Sequence, residues 1–192
     1  MLSKSAQADF GPCFDGRMGN TAGSRPSSGR PRVLLITPDF PPASGGIQVL
    51  SHRLASNFQR AEVHVVTLDG EGAGDFDRRI SLRVTRVGLA AMPRPARVAA
   101  LNAAVVWLSL RFRPDVVLCM HVALAPSAFA VRGLLSAPVA LYLHAVEVRR
   151  RQRLARWATR RADAVIAVSS HTEGLARSRS SSRAAMASAT AT

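Results

Sequence analysis

Residues Val33 to Phe58 read Val-Leu-Leu-Ile-Thr-Pro-Asp-Phe-Pro-Pro-Ala-Ser-Gly-Gly-Ile-Gln-Val-Leu-Ser-His-Arg-Leu-Ala-Ser-Asn-Phe. Val33 to Ile36 form an unbroken apolar run, which suits a strand buried on both faces. A connection rich in Pro and Gly follows, Thr37 to Gly46. Ile47, Leu50, Leu54 and Phe58 then recur at spacings of three and four, the stripe of an amphipathic helix. A buried strand feeding a helix in this way is the building unit of a parallel sheet covered by helices.

The same alternation continues outward from this unit. Glu62–Leu68 reads as a second strand, and Ser81–Val87 as a third after a Gly/Asp loop. Ala96–Phe112 has a helical pattern closed off by Pro114. Asp115–Met120 is a strand, Ala125–Ser136 a helix and Val139–Leu143 a strand. Val148–Arg161 is helical, Asp163–Val168 is the sixth strand, and Thr172 opens a last short helix. The predicted class is α/β: a Rossmann-like parallel sheet of about six strands with helices on both faces. Residues 1–31 are rich in Gly, Ser, Pro and Arg and are expected to be a loose leader. Residues 177–192 have no apolar periodicity and are expected to be a loose tail, leaving 32–176 as the ordered domain.

Composition supports a single core. The chain has 192 residues, 47% of them hydrophobic, with a mean hydropathy of +0.08, which excludes a wholly disordered polymer. Two cysteines, Cys13 and Cys119, exclude a disulfide framework and a four-cysteine zinc site, and fit a reducing compartment. The longest apolar helical stretch, Val98–Leu110, contains Asn102 and Ser109 and falls short of the ~20 residues a bilayer requires. No apolar segment follows Met1 as in a secretory signal. The expected location is cytoplasmic, with peripheral attachment to the inner face of the cell membrane as an option. The net charge is +14 and almost all of it is arginine, Lys4 being the only lysine. A GC-rich genome produces such a skew, and so does a surface that attracts anions.

In an open α/β sheet, ligands bind beyond the carboxyl ends of the strands, so residues just after each strand are the candidates. Gly45-Gly46 precede the first helix, where bare amides and the positive dipole end suit a diphosphate; a simple turn uses the same pair. No Gly-x-Gly-x-x-Gly fingerprint follows the first strand, which disfavours NAD or FAD. His121 and His144 end neighbouring strands, Glu147 lies three residues on, and Ser169 follows the sixth strand. Each histidine alone suits a hydrogen-bonded loop, whereas together with Glu147 they suggest a polar pocket. No His-x-x-x-His pair supports zinc, and no Gly-x-Ser-x-Gly elbow supports a hydrolase.

Four segments, in order, resemble family 4 glycosyltransferases. Arg32 to Gln48 is similar to the family's opening strand and Gly-Gly loop. Arg-Pro-Asp-Val-Val-Leu-Cys-Met-His, Arg113 to His121, resembles its fourth strand. Tyr142 to Glu147 resembles Tyr-x-His-Gly-x-Glu, with Ala145 in place of the glycine. Ala162 to Ser169 resembles the strand that closes the N-terminal domain. The resemblance implies half of a GT-B fold, in which a nucleotide sugar is bound between two Rossmann-like domains. It implies that Gly45 and Gly46 approach the donor diphosphate and that His144 contacts the transferred sugar as the catalytic histidine. His121, Glu147 and Ser169 are the further donor-phosphate or substrate-binding candidates. It also implies retention of configuration, no metal and no cofactor, the nucleotide sugar being a substrate. The family's second domain carries a Glu-x7-Glu pair, and none is formed by Glu62, Glu71, Glu147 and Glu173. The expectation is therefore a truncated, acceptor-side domain, inactive alone, whose C-terminal half another chain supplies.

One helix remains. Arg149, Arg150, Arg151, Arg153, Arg156, Arg160 and Arg161 crowd it around a narrow stripe of Leu154, Trp157 and Ala158. It reads either as a solvated outer helix or as a basic patch, Arg149 to Arg153, for an anionic membrane or a phosphorylated acceptor. Nucleic acid is not expected, since aromatics are only 5% and no recognised binding pattern occurs. Two functions follow. One is the N-terminal domain of a retaining glycosyltransferase moving a hexosyl group to a lipid- or glycan-type acceptor. The other is a non-catalytic basic module that binds an anionic membrane surface or a partner chain.

Overall fold

The computed structural model describes residues 29–88, 91–144, 151–167 and 185–188. The chain begins with β1 (Arg32–Ile36), α1 (Gly46–Asn57), β2 (Glu62–Leu68), a single-turn α2 (Ala73–Asp77) and β3 (Arg83–Val87). It continues with α3 (Arg94–Phe112), β4 (Val116–Cys119), α4 (Ala125–Leu135), β5 (Val139–Leu143), α5 (Gln152–Arg161), β6 (Ala164–Ala167) and β7 (Ala185–Ser188). All strands are parallel, in the order β3-β2-β1-β4-β5-β6-β7. The direction of winding reverses between β1 and β4, which makes that junction the topological switch point of the sheet.

The apolar run of β1 is explained by its two faces. Leu34 and Ile36 join a core with Val66, Leu101, Val105, Val117 and Leu141, beneath α3, α4 and α5. Val33 and Leu35 join a second core with Val63, Val65, Leu118 and Met120, covered by α1 and α2. Strands β1, β2, β4 and β5 thus bury both sides, as a helix-covered parallel sheet requires. Among the described residues no helix is long and apolar enough to cross a membrane.

The amino ends of the strands are locked by two aspartates. Arg32 donates its amide to Asp115 Oδ2 at 2.7 Å, and the Asp115 amide returns to the Arg32 carbonyl at 2.9 Å. Val139 donates likewise to Asp163 Oδ2 at 2.8 Å, and the Asp163 amide bonds the Val139 carbonyl at 3.0 Å. Each aspartate precedes one strand and holds the first residue of its neighbour, fixing register where the strands begin.

The six expected strands are all present. The tail expected to be loose over 177–192 differs, because Ala185–Ser188 adds β7 parallel to β6. Ala-Met-Ala-Ser has no alternating apolar pattern, and its pairing uses the unfilled backbone edge of β6. Residues 1–28 of the expected leader, and the helix expected from Thr172, lie outside the described residues.

Candidate functional site

The loop from β1 to α1 reaches the switch point through a chain of local contacts. Thr37 is fully buried; its amide bonds the Val66 carbonyl at 3.1 Å. Its hydroxyl accepts from the Asp39 amide at 3.1 Å and donates to the Asp39 carbonyl at 3.0 Å, tightening the turn. Phe40 then turns inward and meets His52 of α1 and Phe76 of α2 edge-on, with ring centroids 5.9 and 6.3 Å away. From β3, Arg86 donates to the Pro41 carbonyl at 2.6 Å and holds Asp77 through two bonds of 2.7 and 3.0 Å. Its guanidinium also lies 5.6 Å from the Phe40 ring centroid. The half of the loop before the glycines is therefore packed and clamped.

The half that carries the glycines is bare. Gly45 is the N-cap of α1, with no side-chain capping bond and no acidic residue in the first turn. Its backbone, φ 162° and ψ 160°, is extended and open to any residue. A Cβ there would meet only the flexible tip of Gln48, and a Cβ on Gly46 would meet nothing within 4 Å. Nothing among the described residues demands glycine at 46. What its missing side chain provides is an unobstructed approach to the first amides of α1, at the positive end of the helix.

His121 and His144 follow β4 and β5, neighbours in the sheet. His121 Nδ1 accepts from the Ala123 amide at 3.0 Å and caps the 3-10 turn Val122–Leu124. The capping bond makes Nδ1 the acceptor, which places the proton of the neutral ring on Nε2. His144 is buried, 7% exposed, with its ring 5.2 Å from that of Tyr142. Burial raises the Tyr142 phenol above its usual value, keeping it a hydrogen-bond donor at neutral pH. Gly45, Gly46, His121 and His144 thus share the carboxyl edge across β1, β4 and β5. Glu147, Ser169, Arg149 and Arg150 lie outside the described residues.

Arg151 and Arg153 are exposed at the start of α5. This helix docks through Ala155, Ala158 and Thr159, with Trp157 edge-on to Phe129 at 5.1 Å. Arg156 and Arg160 share its exposed face. Among the described residues no group of three His, Cys, Asp or Glu side chains is placed to hold a metal. Sequence reasoning missed the Arg86–Asp77 clamp. Arg86 lies in β3 at the edge of the sheet, and its partners are 9 and 45 residues away, so no local pattern signalled the clamp.

The family model described as Glycosyltransferase Family 4 matches residues 44–184. No curated protein matches the chain by sequence. A sucrose-phosphate synthase chain from Thermosynechococcus elongatus matches with a TM-score of 0.61 at 13% identity, over 82% of this chain and 87% of that one. Another chain of that protein gives 0.65 at 14% identity, over 83% of this chain and 47% of that one. HepE from Anabaena, solved in complex with UDP-glucose, gives 0.62 at 16% identity, over 82% and 43%. The chain therefore spans less than half the length of the latter two. These structures are GT-B glycosyltransferases, and at such identities the likeness shows the fold. With its β1–α1 glycines and most of its length inside the family match, the chain belongs to glycosyltransferase family 4.

Proposed function

We propose that this chain forms the acceptor-side domain of a retaining glycosyltransferase that moves a hexosyl group from a nucleotide sugar to a glycan- or lipid-type acceptor. The observation that carries the reading is the bare, uncapped N-terminus of α1 at Gly45-Gly46, placed at the switch point on the same edge as His144. In this reading the α1 amides meet the donor diphosphate, whose negative charge grows as the sugar departs. Preorganised donors aimed at developing charge stabilise the transition state more than the ground state. His144, held by burial, bonds the transferred sugar and fixes its orientation. The donor is a substrate, and no resident metal or cofactor takes part. The fold's use in HepE, which was solved with UDP-glucose, supports this donor class. A second domain, on this polypeptide or another, closes the cleft over the base and ribose.

Titration of the 192-residue chain with UDP-glucose tests the diphosphate site. The amide resonances of Gly46, Ile47 and Gln48 should shift together, and the Gly46→Val chain should show no shift. Unmoved resonances in the parent chain would remove Gly45-Gly46 from the site. Efficient turnover of nucleotide sugars by this chain alone would overturn the need for a second domain.

A second reading concerns location, and the exposed face of α5 favours it. With its apolar residues turned inward, α5 presents Arg151, Arg153, Arg156 and Arg160 outward. That face would rest on anionic lipid at the inner membrane surface, or on a phosphorylated acceptor, each arginine contributing about 1 kcal/mol. The chain should co-sediment with anionic vesicles and not with neutral ones, and Arg149, Arg150, Arg151 and Arg153 to Gln should weaken this. Equal sedimentation with both vesicle types would leave a solvated helix.

A further inference from the structure

A cavity of about 240 Å³ opens at the amino edge of the sheet, between α3 and the first residues of β1, β2 and β3. It sits at the opposite end of the strands from Gly45, Gly46, His121 and His144. His64 forms its floor and is only 2% exposed. The His64 Nε2 lies 2.8 Å from Thr85 Oγ1, while Nδ1 is buried with no protein partner among the described residues. Buried polar atoms are nearly always bonded, so an unbonded one on a residue that lines a cavity calls for a ligand group. Phe112 stands edge-on to the imidazole, ring centroids 5.2 Å apart.

The rim carries excess positive charge over aromatic surface. Arg111 stacks on Trp107 at 4.2 Å, and the indole is 53% exposed. Arg83 lies 5.9 Å from the Phe112 ring centroid. Glu62 is the one carboxylate of the lining, 3.4 Å from Arg32 and 3.9 Å from Arg83. Arg83 is thus held only at the long limit of an ion pair, and Arg111 is held by a ring rather than an acid. Cavities for drug-sized ligands run to roughly 300–1,000 Å³, so this one suits a smaller molecule.

From this arrangement we infer that the cavity binds a small ring-bearing organic oxyanion. Its ring sits among Trp107, Leu108 and Phe112, its carboxylate or phosphate meets Arg83 and Arg111, and a polar ring substituent reaches His64 Nδ1. Burial and the Arg83 charge hold the imidazole pKa down at about 4, so the floor stays neutral at pH 7. The site is independent of the glycosyltransferase reading and stands or falls separately from it.

The test is a titration of the full chain followed by ¹⁵N NMR of the Trp107 indole, assigned with Trp107→Phe, and of the His64 ring nitrogens. The probes are 4-hydroxybenzoate, phenyl phosphate, inorganic phosphate and benzyl alcohol. The expected result is saturable shifts of Trp107 and His64 together with at least one ring-bearing anion. The tighter of 4-hydroxybenzoate and phenyl phosphate identifies the acid group. Inorganic phosphate and benzyl alcohol should bind at least about tenfold more weakly, as should the ring-bearing anion to Arg83→Gln/Arg111→Gln. Both arginines are exposed, so the double variant tests charge rather than folding. The inference is overturned if neither ring-bearing anion gives saturable shifts by about 10 mM, or if Trp107 moves without His64. It is equally overturned if the arginine variant binds as tightly as the parent, or if either control probe matches the ring-bearing anions.

Discussion

At the amino ends of the strands, Asp115 and Asp163 each hold the first residue of a neighbouring strand by two bonds, accepting its amide at the carboxylate and donating their own amide to its carbonyl. At the carboxyl ends of β1, β4 and β5, by contrast, the chain leaves two exposed glycines, a histidine capping a short turn and a second, buried histidine. One edge uses side-chain charge to hold the backbone in place. The other leaves a helix start with no side-chain cap among the described residues. The difference teaches where stability and chemistry are separable: a change at the first edge should cost folding energy, and a change at the second should cost function.

The largest effect is expected at the carboxyl edge. In a protein in which this chain is joined to a nucleotide-binding second domain, Gly46→Val should reduce sugar transfer by about a hundredfold or more. The urea midpoint should stay where it was, because a Cβ at 46 meets nothing within 4 Å among the described residues. A large drop in that midpoint would show that Gly46 serves the fold, and the contrast between edges would break. The next effect belongs to the amino edge. Asp163→Ala removes the acceptor of the Val139 amide and the partner of Arg132, and should lower stability by about 2 kcal/mol. The response of the Gly46–Gln48 amides to UDP-glucose should be unchanged below the unfolding midpoint. A lost response in folded protein would couple the two edges.

A smaller, pH-dependent effect sharpens the picture. His64 has a folded pKa of about 4, below its ordinary value of 6.5, through burial first and the Arg83 charge second. Between these values the unfolded chain binds the proton and the folded chain does not, so stability falls as pH falls through that window. It should be roughly 1–2 kcal/mol lower at pH 5 than at pH 7 from this group. Comparing urea unfolding of the parent with His64→Phe isolates it, and an identical pH slope in both would remove His64 as its source.

Much of this architecture was legible in the sequence for physical reasons that can be named. Strands buried on both faces tend to be continuously apolar, which is why β1, β4 and β5 stand out from their surroundings. Boundaries were harder. Helix α3 begins at Arg94 rather than Ala96 because Pro95 is tolerated in the first turn, where its missing amide has no partner to lose. The single turn α2 lies in a Gly/Asp segment with too few residues to show a period. Gly45, Gly46, His121 and His144 could be placed on one edge because strand order follows from strand–helix alternation. The Arg86 clamp could not, since it joins β3 to a loop 45 residues earlier, and no local pattern encodes such a pairing.

The aspartate latches have a consequence for how this domain can change. Register in the sheet is set where β1, β4, β5 and β6 begin, so the exposed stretch of the β1–α1 loop from Pro42 to Gly45 is spared that duty. Loops on a rigid scaffold tolerate insertion and exchange far better than the elements they join. Residues between Pro42 and Gly45 could be lengthened or replaced without sliding any strand against its neighbour. The domain is in this sense a socket with interchangeable lips: new specificities can be grafted at one end while the frame is kept intact at the other.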